Sequence, residues 1–464
     1  MKTEKLKQNV KGYVHQFEDG GLRLLRKGQK GVIHAIFSRF GLVLILLLLQ
    51  VGLLFSIFRW FGNLWPHYFG GSVVVTSAMV IYLLNSKMDN SAKITWMVVV
   101  AIAPVVGIPM FFYVKSNFGH NILRKRLLEL EDQLRGWLPQ SQKAVEQLKA
   151  LEPGAASLAK YLYGRGGGFP VYQNTAMTYF PGGEAKFEEL LRQLETAEEY
   201  IFVEYFIIDE GLMWGKILEV LARKALQGVD VRVMYDGTCE FSTLPRNYPR
   251  LLEKLNIQCK VFSPVQPFVS THYNYRDHRK ILVIDGRVGF TGGVNLADEY
   301  INHIQKHGRW KDAAVMLEGE AVRSLTAQFL QMWGILKEPE YEQFLTRPIP
   351  VPENAKGVAA PYGDCPLDGE RVGEMVYIDL LNRARDYIHI MTPYLILDGE
   401  LETALRFAAE RGVDVHLILP GKPDKWFAYA LAKTHYLPLL SSGVKISEWV
   451  PGFTHAKVMI MDGQ

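Results

Sequence analysis

His278 and Lys280, two residues apart, precede an apolar run that closes on Asp285 and Gly286, HRKILVIDG. His455, Lys457 and Asp462 repeat the same spacing in HAKVMIMDG. Each apolar run reads as a buried strand, and residues two apart on a strand project from one face. Two such pairs facing each other put two imidazoles and two ammonium groups around one small anion, for which a phosphodiester is the obvious candidate. Chemistry at that phosphorus needs an in-line nucleophile, an acid for the departing alkoxide, and cations on the non-bridging oxygens. The histidines supply the first two and the lysines, charged at neutral pH, the third. The aspartates, seven residues beyond each histidine, either orient a histidine or cap the turn that ends the strand. Chance explains two copies of such a pattern poorly.

The elements that must hold these residues are duplicated as well. From residue 169 apolar strands alternate with amphipathic helices, an α/β pattern. YIFVEYFI (200–207), a helix over 212–226 and GVDVRVMYDG (228–237) lead to the first motif. YIHIMTPYLI (387–396), a helix over 400–411 and GVDVHLILPG (412–421) lead to the second. The two histidines are 177 residues apart, the length of one repeat. The expected fold is a duplicated α/β one. Its similar sheet-plus-helix halves, 169–345 and 355–464, are joined by the Pro-rich linker 346–354, with the active site between them.

Glu204 lies in an apolar strand, where an unpaired carboxylate costs several kcal/mol. A histidine partner would relieve that cost and orient the imidazole; the alternative is a strand-end carboxylate reaching solvent. Tyr205, on the opposite strand face, reads as core. In the linker region 115–168, leucines at helical spacing predict one amphipathic helix over 121–150. GRGGG (164–168) reads as a flexible loop, since no strand precedes it and no Gly-Lys-Ser/Thr follows. Cys239, Cys259 and Cys365 have neither metal-ligand nor disulfide-framework spacing.

Ahead of this domain, apolar residues are concentrated. Phe40–Phe58 is a run of 19 residues and Ile94–Val114 one of 21 without a charge, and Trp60–Ser86 between them carries none. Each is about long enough to cross the hydrocarbon layer. Residues 40–114 are therefore expected to form a transmembrane region, with spans near 40–58, 67–86 and 94–114, in a multi-pass protein of the cell membrane. The first run begins too deep for a secretory signal and lacks a small-residue cleavage site. Residues 1–39 hold nine Lys/Arg against three carboxylates, which places the N-terminus on the cytoplasmic side near anionic lipid. The rest of the chain has no basic field, which argues against a nucleic-acid partner. A second basic cluster, Lys115 and Arg124–Arg126, pulls toward the side that three spans would oppose. Three spans are expected, and the facing of the catalytic domain is left open.

The duplicated His-x-Lys-x4-Asp resembles the phospholipase D superfamily. NYRDHRKILVIDGRVGFTGGVNLADEY (274–300), GRWKDAAVMLEGEAV (308–322) and PGFTHAKVMIMDG (451–463) resemble its cardiolipin synthase branch, as does a membrane anchor ahead of the duplicated domain. The resemblance covers roughly residues 94–464. It implies a phosphatidyltransferase that joins two phosphatidylglycerol molecules into cardiolipin and releases glycerol. His278 is then the nucleophile, forming a phosphatidyl-histidine, and His455 the general acid and later the base. Lys280 and Lys457 bind phosphate oxygens, joined by Asn295 just past Gly292-Gly293. Asp285 and Asp462 complete the catalytic motifs, and Glu204 supports a histidine. Other readings are a phospholipase D, a transferase using another lipid alcohol, or a non-catalytic lipid-binding membrane protein; the oligomeric state is left open. The first motif continues ten residues from Asp285 to Asn295, whereas the second stops two residues past Asp462, at Gln464. A truncated second half is therefore expected, with a sheet edge exposed beside the site and activity of the fragment not taken for granted.

No cluster of cysteine, histidine or carboxylate with metal-ligand spacing accompanies the motifs, so no cofactor is expected. Activity of the complete protein is predicted to survive a strong chelator. Complete loss that a single divalent ion restores would sink the metal-free scheme.

Overall fold

The computed structural model describes residues 15–16, 22–23, 65–86, 88, 90–115, 118–263, 276–365 and 367–463. The chain divides into two units, one holding residues 27–121 and the other most of the remainder, from Ile122 onward. In the smaller unit three helices are described, α1 (Trp65–Leu84), α2 (Asn90–Ile102) and α3 (Pro104–Lys115). Met79, Leu83, Val100 and Phe111 form their common core. The apolar run expected as one span over 94–114 is instead α2 and α3 folded against each other. A straight helix would hold Trp96 and Phe111 about 22 Å apart at 1.5 Å per residue; their rings meet edge-on with centroids at 5.2 Å. Pro104, which has no N–H to continue the ladder, begins α3. Gly107 allows the close approach, since a Cβ there would lie 3.0 Å from the Val99 carbonyl oxygen. Among the described residues, no helix is long and apolar enough to cross a membrane. α1 covers most of the expected middle span, and the expected span 40–58 lies outside the described residues.

The larger unit is built on a seven-stranded mixed sheet. Its strands are β1 (Thr175–Phe180), β2 (Tyr200–Tyr205), β3 (Asp230–Asp236), β4 (Gln258–Phe262), β5 (Lys280–Ile284), β6 (Val288–Gly292) and, after the short β7 (Arg309–Lys311), β8 (Ala314–Gly319). The order is β1-β8-β6-β5-β2-β3-β4. The central strands β2 and β5 are buried along their whole length, as expected for strands covered on both faces. One face carries Ile201, Val203, Leu282 and Ile284 against Trp214 and Leu218 of α6 (Leu212–Leu226), with α5 (Gly183–Leu194) beside it. The other carries Tyr200, Phe202, Ile281 and Val283 against Phe329 and Leu330 of α7 (Val322–Trp333), and takes in Leu127 and Leu134 of α4 (Phe118–Arg135). Burying each such side chain stabilises by about 1.5–3 kcal/mol. The helix expected over 121–150 is thus two. α4 ends before Gly136 and Pro139, and a new helix, Gln142–Leu151, starts where the Ser141 hydroxyl accepts from the Ala144 N–H.

The second half repeats the centre of this sheet with β9 (Tyr387–Met391), the helix α8 (Gly399–Glu410), β10 (Asp414–Pro420), β11 (Lys445–Trp449), the short β12 (Gly452–Thr454) and β13 (Val458–Met461). The order is β11-β10-β9-β13. β9 lies parallel to β10 with Tyr387 opposite Asp414, as β2 lies to β3 with Tyr200 opposite Asp230. β13 runs antiparallel to β9 with Ile388 opposite Met461, as β5 runs to β2 with Ile201 opposite Ile284. The duplication read from the motifs therefore holds residue for residue in the strand register. The two halves join where β12 pairs in parallel with β7, Phe453 opposite Trp310. Phe453 is fully buried in the core of the first half, its ring 4.8 Å from that of Trp310. Glycines make the crossing possible: a Cβ on Gly452 would fall 2.1 Å from the Arg309 carbonyl oxygen, and Gly308 takes φ +71°.

Asp285 and Asp462 belong to this framework and not to the chemistry. Each sits in the left-handed region, at φ +50° and +48°, at the far end of its strand from the histidine. The Asp285 carboxylate accepts the N–H groups of Glu198, Glu199 and Tyr200 at 2.8–3.0 Å. Asp462 accepts those of Arg385, Asp386 and Tyr387 at 2.9–3.0 Å. A short carboxylate suits both demands, since aspartate tolerates this backbone and satisfies three donors at the start of the neighbouring strand. The catalytic assignment of the two aspartates is corrected accordingly. Asp285→Ala is predicted to destabilise the protein by about 3 kcal/mol. Asp285→Asn, which keeps an acceptor and the backbone preference, is predicted to lower the melting temperature less and to keep its turnover per folded molecule. A loss of turnover beyond a hundredfold in folded Asp285→Asn would restore a catalytic role.

Candidate active site

The β7–β12 crossing carries the chain directly into His455, whose N–H donates to the Lys311 carbonyl at 2.6 Å. Next to Lys311 stands Asp312, fully buried, and its Oδ2 holds His455 Nδ1 at 2.8 Å. Oδ1 of the same carboxylate accepts the Ala313 N–H at 2.8 Å, which fixes the acid itself. Gly293 makes room, since a Cβ there would lie 2.0 Å from Asp312 Oδ1. The rings of Tyr300, Trp310 and Phe453 enclose the imidazole, with centroids 5.4–6.0 Å away. The carboxylate takes Nδ1 and leaves Nε2, which Lys457 Nζ approaches to 2.9 Å, as the nitrogen that can exchange a proton with a substrate. Asp312 was not singled out by sequence reasoning. Its role depends on a contact between residues 143 apart, and the local signal was only an aspartate at the foot of an apolar strand.

His278 lies at the entrance to β5, partly open to solvent, with its ring against that of Phe206 at 4.7 Å. Lys280 donates to the His278 carbonyl, and Lys457 to the His455 carbonyl at 2.6 Å, so each lysine arm folds back along its own motif. Lys457 Nζ is also 2.9 and 3.0 Å from the two ring nitrogens of His455. Burial, then the charges of Lys280, Lys457 and His455, push the His278 pKa down to about 3. The two motifs are therefore within electrostatic reach of each other. Burial lowers His455 too, against the opposing pull of Asp312. The lysines are not simply permanent cations: burial, helped by Lys457, brings Lys280 to about 7, and burial brings Lys457 to about 8. Another buried lysine, Lys186, donates to the Tyr205 hydroxyl at 2.9 Å and is brought to about 7 by burial. Tyr205, expected as plain core, thus has a polar partner.

Two sequence expectations change here. Asn295 is fully buried and its amide is already used. Oδ1 accepts from the Ile207 N–H at 3.1 Å and Nδ2 donates to the Tyr300 hydroxyl at 2.7 Å, so it braces the wall behind His455 instead of facing a phosphate. Glu204 is fully buried but has no histidine partner among the described residues. Its neighbours are Asp277 and Arg279, whose Nη1 is 3.8 Å from Oε1, and burial, then Asp277, raises the Glu204 pKa well above the ordinary range.

These groups form a cluster under the segment that bears His278. Asp236 accepts the Asp277 N–H at 2.9 Å and meets Arg276 Nη1 at 3.4 Å, and Asp277 in turn accepts the Arg279 N–H at 3.2 Å. A cavity of about 560 Å³, lined by Asp277, Arg279, Leu325 and Met332 among others, adjoins it. The register places Met391, Pro420, Phe453, Thr454 and Ala456 of the second half where the first has Glu204, Asp236, Arg276, Asp277 and Arg279. One histidine is thus held by a carboxylate on its ring, and the other by a charged scaffold on its flanking backbone.

The family described as "Cardiolipin synthase, PLD-like domain" matches residues 190–333 and 377–464. An uncharacterized protein of Streptococcus mutans is 55% identical over 82% of this chain and 83% of its own. A cardiolipin synthase of Geobacillus kaustophilus is 34% identical over 84% of this chain and 78% of its own. Another, of Halalkalibacterium halodurans, is 31% identical over 92% and 85%.

The lowered lysine pKa values set a sign for pH dependence. Only the protonated lysines attract an anion, and in the empty site they lose their protons as pH rises through about 7 to 8. Binding a phosphodiester draws those protons back. KM for an anionic phosphodiester is therefore predicted to rise above about pH 7, with kcat changing less, in steady-state assays across pH 6–9. A flat KM over that range would contradict it.

Proposed function

Since the chain belongs to the cardiolipin synthase family of phospholipase D-like proteins, we infer that it is a phosphatidyltransferase. It joins two phosphatidylglycerol molecules into cardiolipin and releases glycerol. The observation that carries the mechanism is the unequal footing of the two histidines, His455 bound to a buried carboxylate and His278 free of one among the described residues. A neutral imidazole with an open nitrogen is a nucleophile, and an imidazole backed by a carboxylate is suited to take and give a proton.

In the first step a nitrogen of His278 attacks the phosphorus of one phosphatidylglycerol. The bond from phosphorus to the headgroup glycerol breaks in line, and protonated His455 gives its proton to the departing oxygen. Lys280 and Lys457 neutralise the non-bridging oxygens. The product is a phosphatidyl-histidine on His278. In the second step neutral His455 takes the proton from a headgroup hydroxyl of the second phosphatidylglycerol. That oxygen attacks phosphorus, and the phosphorus–nitrogen bond breaks to free His278. Asp312 stabilises the imidazolium in both steps and stays ionised. Residues 40–114 are read as the membrane-embedded part, which suits an enzyme whose substrates and product all reside in a bilayer.

His278→Ala is predicted to abolish every covalent lipid–protein adduct. His455→Ala is predicted to slow turnover by at least about 10³-fold on phosphatidylglycerol. It is still expected to form the adduct from a donor with a p-nitrophenol leaving group, which needs no proton. Trapping and mass-spectrometric mapping of the adduct decides this, and an adduct on His455 would reverse the roles.

A further inference from the structure

The helix pair α9 (Trp426–Thr434) and α10 (Tyr436–Ser441) is inside out. The buried side of α9 consists of small residues, Ala428 and Ala432, whereas Trp426 is 79% and Phe427 58% exposed. Leu431 continues the outward stripe at helical spacing, and Leu437 of α10, 75% exposed, extends it. Large apolar side chains scattered singly on a surface need no explanation, but an aromatic and aliphatic stripe along one face does.

The internal duplication supplies the control. β4 pairs with β3 with Gln258 opposite Arg232, and β11 pairs with β10 with Lys445 opposite His416, so the segments before these strands align without ambiguity. The buried Leu252 and Ile257 of the first half correspond to the buried Leu439 and Val444 of the second. The first half carries Arg250 and Glu253 where the second carries Leu437 and Leu440, both exposed. The same scaffold thus has an ordinary charged surface in one half and an apolar one in the other, and neither core gains from the leucines.

What would cover this face follows from its chemistry and its place. Lys422, Lys425 and Lys433 flank the stripe and outnumber Asp424 and Glu448, to which the last two are bonded. Exposed Trp, Phe and Leu interleaved with lysine is the pattern of a helix lying in the interface of an anionic bilayer. The turn that leads into α9 meets the segment before the second motif: the Lys422 N–H donates to the Gly452 carbonyl at 3.0 Å, three residues before His455. Val450, 75% exposed, stands at the same turn. We propose that the outward face of α9 and α10, with Val450, seats the catalytic unit on an anionic phospholipid surface and brings lipid headgroups to His455. The proposal rests on the lipid transferase reading for its substrate, but the surface itself can be tested without activity.

Full-length protein is reconstituted into vesicles of phosphatidylglycerol and phosphatidylcholine, with a photo-crosslinking benzoylphenylalanine at Phe427, or at Arg250, the charged first-half counterpart of Leu437. Crosslinks to phospholipid are expected from position 427 and not from position 250. Crosslinks from 427 to a second copy of the chain, or none to lipid, would overturn the proposal whatever the activity. A Trp426→Asp, Phe427→Asp, Leu437→Asp variant is then compared with the parent on vesicle phosphatidylglycerol and on a short-chain analogue dissolved as monomers. A loss of about tenfold or more on vesicles with unchanged turnover of the monomeric donor is expected. Equal activity on vesicles, or an equal loss on both substrates, would reject docking. A parent inactive on both donors, with crosslinking to lipid intact, would refute the transferase reading and leave the surface standing.

Discussion

The short parallel pairing of β7 with β12 is the contact on which the rest of the site depends. Only three residue pairs long, it seats Phe453 of the second half in the core of the first and delivers His455 beside Asp312. A duplicated sheet alone would give two separate half-sites, each with one histidine and one lysine. The crossing makes them a single site, and it does so through backbone contacts so close that Gly308 and Gly452 leave no room for a side chain. Desolvation is the largest cause of the pKa shifts of His278, Lys280, His455 and Lys457.

Closure also breaks the symmetry that the duplication implies. Asp312, from the first half, serves the histidine of the second, while the charged scaffold of Asp236, Asp277, Arg279 and Glu204 lies behind the histidine of the first. A nucleophile needs a fixed backbone and an open, neutral nitrogen; a proton carrier needs a carboxylate to balance the charge it acquires and gives up. The same strand pattern meets both needs because the residues that differ lie around the motif, at positions where the second half carries Met391, Pro420, Thr454 and Ala456.

Much of this was legible from the chain itself. The period of two in HRKILVIDG and HAKVMIMDG, the spacing of 177 between the histidines and the repeated GVDV gave the duplicated α/β architecture, and the strand register bears it out. What was not legible depends on long-range geometry. Asp285 and Asp462 could be read as catalytic or as caps, and only the donors they meet decide for caps. Asn295 and Glu204 are polar residues in apolar surroundings, but nothing local says that the first would be used by Ile207 and Tyr300 or the second placed beside Asp277. Asp312 had only its place at the foot of an apolar strand to mark it. Length and hydropathy made 94–114 a single span, and could not weigh Pro104 against the apolar residues around it.

The central claim is that phosphorus is transferred twice, onto His278 and then onto the acceptor. Each in-line displacement inverts the configuration at phosphorus, so two of them restore it. The most direct test is the stereochemical course with phosphatidylglycerol made chiral at phosphorus by a single sulfur substitution. The account predicts cardiolipin with retained configuration, read by phosphorus NMR of the product. Inverted configuration would mean direct attack of one lipid on the other, and would contradict it.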